Sequence, residues 1–412
     1  MAAALAAARS ARRPGPDLPY RAPAPARPDD GLPVPDALDP VLRHSVAGGR
    51  LRPAASAGAL HPVSVRLLAG TGAGLPAGHY AYDPAAHRLH PVGPLTGPAP
   101  YGAFAILGAV PERTVSHYRH RAWPLTLLDT GHAVAALVAA GAPGYCLDPA
   151  PRSLPRPGRP GTGPDEIPLA VVRLTPHGEL EDPPEGPPTA TGAPSPAPHP
   201  DIADARRILR LLASSGRGTG TWYTARRRAA RPVIEARRSA PVDVLATAGR
   251  PPDRLLRRVL TAARSAAPGG PDWWLAVGGT RPALLTDAPG GLRTEATGPV
   301  LDTLARWAAG QGWLAGTGAV LLAVGCPTAA APARIRADHL RAGYGVGHAQ
   351  LAATALGLPA RPVGAWQRAD LGAALGGPAG RRWIVHGLAF GTAPRNRPAR
   401  ARSGRPRRTT TA

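Results

Sequence analysis

The stretch "SHYRHRAWPLTLLDTGH" at residues 116–132 gathers the side chains best suited to proton chemistry. It places His117, Tyr118 and Arg121 close together and then carries His132 into an apolar run. A neutral imidazole, with a pKa of about 6.5, can act as a general base near neutrality. A tyrosine hydroxyl, with a pKa of about 10, donates a hydrogen bond or passes a proton. Arg121 can shape the turn or meet ligand oxygens. The plainer reading is a solvated basic turn leading into a core helix, with His132 satisfied inside it and Trp123 as a packing anchor.

Three other stretches could hold an anion or a flat ligand. In "RPAASAGALHP" (52–62), Arg52 precedes the small residues Ser56, Ala57, Gly58 and Ala59, which let backbone approach a flat ligand closely. The alternative is a tight turn before a strand. In "EARRSAP" (235–241), Arg237 and Ser239 could clamp a phosphate from two directions; otherwise this is a basic helix end. In "APRNRP" (393–398), Arg395 and Arg397 point the same way if the chain is extended; otherwise they belong to a basic tail.

Composition narrows the chemistry. The 412 residues carry 49 basic side chains, all arginine, and a net charge of +23. Without lysine there is no Schiff-base, P-loop or lysine-base chemistry, so anions fall to Arg, His, hydroxyls and backbone N–H groups. The Ala, Arg, Pro and Gly bias is that of a very GC-rich, actinobacterial type of genome. The charge comes without a helix-turn-helix, zinc-finger or RNP-like pattern, so no specific nucleic-acid partner is expected. It could attract an acidic peptide partner instead. Cys146 and Cys326 lie far apart with no C-x-x-C spacing, so neither a metal site nor a disulfide framework is expected, and the cytoplasm is the default location. The N-terminal "MAAALAAARSARR" lacks a signal h-region, and no run of about 18 strongly apolar residues predicts a membrane span.

The elements that must position these residues follow from patterning. Residues 1–34 are Pro/Ala/Arg-rich and expected to be disordered. Structure is expected from a short helix at 35–47, then a strand at 63–70 and a hairpin at 78–93 turning at Asp83-Pro84. A buried helix at 125–141 ends at Gly141, and a strand follows at 169–176. Residues 181–200, "EDPPEGPPTATGAPSPAPHP", read as a linker. Beyond it come helices at 201–214, 254–266 and 337–357 and strands at 273–279, 319–325 and 381–391. The halves echo one another weakly, with Gly131-His132 answered by Gly347-His348, which predicts two copies of one α+β unit. The expected organisation is a first domain at 35–180, a second at 201–398 and a basic disordered tail at 399–412.

The first-half motifs, together with "GLPAGHYAYDPAAHRLHPV" (74–92), resemble a SagB-type dehydrogenase of the FMN-dependent nitroreductase superfamily. The family's lysine-tyrosine pair falls at His117-Tyr118, and its Gln-Asn pair at Ala135-Ala136. The second half resembles a diverged nitroreductase domain through "RRS" (237–239), "RRVLTAARSAAPGGPDWW" (257–274), "RAGYGVGHAQLAATALGL" (341–358) and "RNR" (395–397). The resemblance implies two nitroreductase-like domains, each a mostly antiparallel sheet with flanking helices, packed as an intramolecular pseudo-dimer. It implies one competent FMN site: Arg237, Ser239, Arg395 and Arg397 toward the phosphate, and Arg52 with the Ser56–Ala59 loop toward the flavin. It implies oxidation of thiazoline or oxazoline rings to azoles in a ribosomally synthesised peptide, as in thiopeptides, with His117, Tyr118 and Arg121 as catalytic residues. Implied partners are the modified precursor peptide and a cyclodehydratase complex. The competing readings are a generic NAD(P)H-dependent nitro or quinone reductase and a catalytically degenerate subunit of a peptide-modifying complex.

Overall fold

The structure, a computed structural model, describes residues 1–20, 31–95, 98–149, 166–175, 198–215, 220–225 and 228–393. Arg395, Arg397, the expected tail and most of the expected linker lie outside the described residues.

The chain opens with α1 (Ala2–Arg9), β1 (Leu32–Pro33) and α2 (Asp39–Arg43), then β2 (Val63–Ala69), β3 (Gly78–Asp83), β4 (Arg88–Gly93) and β5 (Ala103–Ala109). Helices α3 (Pro111–Tyr118) and α4 (Ala122–Ala140) lead to β6 (Gly144–Cys146) and β7 (Ile167–Arg173). The second half begins with α5 (Pro200–Ser214), β8 (Trp222–Thr224), α6 (Arg231–Ala236), α7 (Val242–Leu245) and α8 (Asp253–Ala266). It continues with β9 (Asp272–Val277), β10 (Ala283–Ala288), β11 (Gly291–Thr297), α9 (Val300–Trp307) and β12 (Ala319–Gly325). It closes with α10 (Pro332–Ala355), β13 (Ala360–Val363), α11 (Leu371–Ala374) and β14 (Trp383–Phe390).

These strands form two antiparallel sheets, ordered β1-β4-β3-β2-β5-β7-β6-β8 and β11-β10-β9-β12-β14-β13. The run β4-β3-β2-β5-β7-β6 and the whole second sheet are the same topology traversed twice. In each copy the chain leaves the middle of the sheet after β5 or β12, passes through a long helix, α4 or α10, and returns at the far edge. The α+β repeat expected from the faint sequence echo is therefore present strand for strand. β8, from the second half, extends the first sheet by pairing with β6, which stitches the halves together.

β5 escaped the sequence reading for a physical reason. All seven of its residues are buried, so it shows no polar–apolar alternation to mark it as a strand. The hairpin at 78–93 and the strands at 63–70, 273–279 and 319–325 lie close to where patterning placed them.

Helix α4 is apolar on nearly every side, as a helix enclosed by a larger core is, and α10 is buried along most of its length although it carries Arg336, Asp338, His339 and Gln350. They touch through glycine. A Cβ on Gly131 would lie 2.2 Å from the Leu340 carbonyl oxygen, and one on Gly343 would lie 2.1 Å from that of Leu128. Backbones this close admit no side chain at either position. The reciprocal partner of Gly131 is therefore Gly343 rather than the expected Gly347, which packs one turn further along against Ala135 and His132. One apolar cluster runs through both halves across this seam. Within the helical stretch Pro111–Ala140 an 18-residue window has a mean hydropathy of 1.2, enough by composition and length alone to cross a membrane. That window is 89% buried inside the protein, as a core helix is.

The N-terminal segment corrects another expectation. Within 1–34, residues Ala2–Arg9 form α1, whose Leu5 and Ala8 are buried. Alanine is the best helix former, and one leucine gives the helix something to bury. The Arg9 guanidinium donates to the Cys326 carbonyl at 2.7 Å and lies over the Trp383 ring, 4.6 Å from its centroid. The Leu18 amide donates to the Ser116 carbonyl. This segment thus runs from the second half back to the end of α3.

Candidate functional site

Between the halves lies a cleft built from α4, the loop before β2, the segment after α6, α10 and β13. Asp129 organises its floor. This carboxylate is buried on α4, accepts from the Ser56 hydroxyl at 2.6 Å and takes the Ala57 amide at 3.1 Å. Burial pushes its pKa up to about 7, against the lowering effect of those two hydrogen bonds. The Ser56 oxygen in turn accepts the His61 amide at 2.9 Å. The Ser56–Ala59 loop is thus held from beneath, and its backbone conformation is costly: Gly58, Ala59 and His61 all have φ in the left-handed region, at 61°, 54° and 46°. Non-glycine residues there store strain that surrounding contacts must hold. Ser56, expected to reach a ligand, is committed to Asp129 instead. Ala57, Gly58 and Ala59 remain the small face of the loop.

Tyr118, the last residue of α3, meets this loop. A Cβ on Gly58 would sit 3.2 Å from the Tyr118 hydroxyl, so only glycine leaves that hydroxyl its space. Burial, followed by the Asp129 charge, raises the tyrosine pKa, so the group stays protonated as a donor. His117 lies one step outward. Its ring packs edge-on against Tyr118, with centroids 4.8 Å apart, and its Nδ1 is 3.0 Å from Asp17 with the side chain 54% exposed. Arg119, with φ 53°, breaks the helix, and a single 3-10 turn leads into α4. Arg121 does not face the cleft. It is buried, donates to the backbone carbonyls of Ser10 and Arg12 and faces the Gln367 amide. The expectation of a catalytic Arg121 is corrected accordingly: the ordered N-terminal segment claims its guanidinium.

Arg237 and Arg52 carry the charge. One Arg237 nitrogen donates to the Arg52 carbonyl at 3.2 Å and another approaches Gln350 Oε1 at 3.4 Å. Its Nε is buried with no hydrogen-bond partner. Arg52 turns its Nε back onto the carbonyls of Gly48 and Gly49. Among the described residues neither guanidinium pairs with a carboxylate, and burial lowers both pKa values to about 10. Both side chains are half-buried, and a partly desolvated cation without a counter-charge gains when an anion arrives. Ser239 is exposed two residues on, where an added ligand could meet it. Nearby, Arg361 on β13 donates to the Ala240 carbonyl and sends its positive field to Tyr118. Arg237, Ala135, His132 and Gln350 line a narrow cavity of about 20 Å³, room for roughly one water.

Sequence reasoning named Tyr118, Arg237 and the small-residue loop, and the fold brings them toward one another. It missed Asp129, Gln350, Arg361 and His386, which come from four different elements. Asp129 offered one signal, a lone acid inside an apolar helix three residues before a histidine. The other three had none.

No family model matches the sequence, and no curated protein matches it. Solved structures do. A protein from Anabaena variabilis assigned to the nitroreductases superposes with a TM-score of 0.64 over 93% of this chain and 95% of its own, at 16% identity. Partial matches include a Desulfovibrio desulfuricans protein, also assigned to the nitroreductases and solved with FMN (23% identity, 41% of this chain, 91% of that one, TM-score 0.27). Another is a chain of the E. coli microcin synthetase McbBCD complex with truncated pro-MccB17 bound (17% identity, 40% of this chain, 77% of that one, TM-score 0.27). The chain has a nitroreductase fold. Both halves align within one protein of similar span, consistent with the two-unit α+β architecture.

Proposed function

We propose that this protein is an FMN-dependent oxidoreductase of the SagB type, oxidising thiazoline or oxazoline rings of a ribosomally made, modified peptide to azoles. The observation that carries the reading is the pair of half-buried guanidiniums without carboxylates among the described residues, Arg237 and Arg52, beside a loop of small residues. The orphaned Arg237 Nε suits a phosphate oxygen, and Ser239 is placed to add a hydroxyl. Arg395 and Arg397 would complete that end. Ala57, Gly58 and Ala59 let backbone approach the face of a flat ring. Admitting that ring requires the cleft to widen, and the strained loop at 56–61 is the segment to give way.

When bound, FMN would supply a hydride acceptor that dioxygen can reoxidise. The chain supplies proton handling and a closed site. Tyr118 would relay the proton that leaves ring carbon, giving up its own hydroxyl proton to His117 as it takes that proton up, and His117, anchored by Asp17 and open to solvent, would release it. Arg121 holds the N-terminal segment under this pair. The pseudo-dimer would work as a single chain in the cytoplasm, with a cyclodehydratase complex delivering the precursor peptide.

Titrating the purified chain with FMN should give one flavin per chain, and a peptide bearing azoline rings should then lose two hydrogens per ring. Two flavins per chain would sink the single-site reading. Flavin bleaching that depends on NAD(P)H with no action on the peptide would favour a general reductase. The narrowness of the cleft favours one alternative, a catalytically degenerate subunit; a protein that stays colourless with excess FMN would establish it.

A further inference from the structure

Two histidines meet in the core where the halves join. His132 on α4 and His386 on β14 place their Nε2 atoms 2.9 Å apart, both side chains buried. The Nδ1 of His386 lies 3.1 Å from the Val363 carbonyl oxygen. A carbonyl only accepts, so His386 Nδ1 carries the hydrogen. Burial keeps both rings neutral by lowering their pKa values, that of His386 to about 3. A neutral ring has one N–H, so His386 Nε2 is a bare lone pair. The contact between the rings then requires His132 to donate from Nε2, which leaves His132 Nδ1 as a lone pair.

That lone pair belongs to the cleft. His132 lines the same cavity as Arg237 and Gln350, and its Nδ1 would lie 3.3 Å from a Cβ on Gly347, which has none. Along α4, His132 follows Asp129 by three residues and precedes Ala135 by three, so all three share one face. Asp129 holds the loop proposed to meet the ring, and Ala135 lies beside Arg237, proposed to meet the phosphate. A ligand spanning those two would pass its middle across His132. Arg237 offers donors in this cavity and the Gln350 amide is engaged by Arg237 and the Arg238 carbonyl, whereas His132 offers an acceptor, so its partner must bring a hydrogen.

We infer that His132 is a ligand-facing hydrogen-bond acceptor, its tautomer dictated from the other half by Val363 and His386, and that it takes a hydroxyl of the polyol chain joining the flavin ring to its phosphate. His386 is a positioning residue: it touches no ligand and acts by fixing which His132 nitrogen is bare. The ligand in this inference rests on the FMN reading; the tautomer relay does not.

Long-range ¹⁵N–¹H spectra of the histidine-labelled full chain without flavin should show His386 protonated at Nδ1 and His132 at Nε2. Added FMN should then move the His132 Nδ1 resonance, while lumiflavin, which lacks the polyol and the phosphate, should leave it in place. His132→Phe should weaken FMN about tenfold and lumiflavin not at all. His386→Phe should reproduce that selective loss by freeing the His132 tautomer, so the test survives if either variant fails to fold. A hydrogen on His132 Nδ1 in the flavin-free spectrum would overturn the relay. Equal weakening of both flavins would overturn the polyol contact. No FMN binding by the unaltered chain would overturn the ligand assignment together with the cofactor reading, while the flavin-free spectrum would still decide the relay.

Discussion

The repeat relates the cleft to a second position in the molecule, and the two have diverged in opposite directions. In the first, Asp129 on α4 accepts from the Ala57 amide of its own half's loop. In the second, Arg341 on α10 donates to the Gly269 carbonyl of its own half's loop at 2.8 Å. The latch survives while its charge is reversed. The strand facing the first cleft from the opposite half, β13, brings Arg361; its counterpart β6 brings Tyr145. The first cleft is lined by alanine and glycine. In the second, Tyr145 stacks on Tyr223 with centroids 5.4 Å apart and packs against Tyr344 at 4.6 Å, and Arg341 also reaches the Tyr223 hydroxyl. One scaffold therefore holds a site with half-buried cations that have no carboxylate partner among the described residues and, across the seam, the same space packed with rings. The backbone gives two candidate sites; side-chain bulk and charge leave one.

That contrast can be broken or sharpened by experiment. The largest expected effect is on chemistry in the first cleft. Tyr118→Phe should slow azoline oxidation about 10²–10⁴-fold with FMN still bound, and His117→Ala, in its more exposed position, should slow it less. Full activity in both variants would remove the pair from the mechanism. Next comes the packing of the second cleft. Tyr344→Ala should destabilise the chain by about 3–5 kcal/mol in denaturant unfolding without changing flavin stoichiometry. A second bound flavin appearing in that variant would show that the rings alone block a competent site.

Arg237→Met should weaken FMN by about 10–100-fold, read by flavin fluorescence, with little change in the stability of the flavin-free chain, because it removes a half-buried cation that has no carboxylate partner among the described residues. A flavin-free chain that unfolds more easily would mean that its hydrogen bonds to the Arg52 carbonyl and Gln350 outweigh its desolvation. Asp129→Asn should act through pH. The folded-state pKa of Asp129, about 7, lies above the value of about 3.8 for a free aspartate, so the folded chain binds the proton more tightly than the unfolded one. Its contribution is greatest at low pH and is lost as pH rises from about 4 through about 7, at up to about 1.4 kcal/mol per pH unit. The asparagine variant should flatten that part of the stability profile; an unchanged slope would show that Asp129 does not titrate there. The smallest effect is expected from Arg341→Met, which loses about 1 kcal/mol of stability and leaves FMN affinity untouched. A loss of FMN affinity in that variant would mean that the clefts are not independent.

Much of this scaffold was legible in advance because it depends on local rules. The hairpin at Asp83-Pro84, the helix stop at Gly141 and the apolar runs of α4 and α10 are written in turn residues and hydrophobic periodicity, and they fall close to where those patterns put them. β5 was not legible, since a strand buried on both faces has no period to read. The helix at Ala2–Arg9 was missed because a segment rich in alanine and arginine looks structureless until a groove is available for Leu5.

For the site, the sequence by itself determined the inventory: arginine as the sole strong cation, a loop of small residues and a histidine-tyrosine pair. Only the tertiary structure decided how that inventory is used. It gave Arg121 to the N-terminal segment, tied Ser56 to Asp129, brought Arg237 against the Arg52 loop 185 residues away and set His132 against His386. The reason is that hydrogen-bond partners and counter-charges are settled by which backbones approach in space. Here that approach runs through a glycine seam between two helices more than 200 residues apart, a distance across which sequence spacing carries no geometric information.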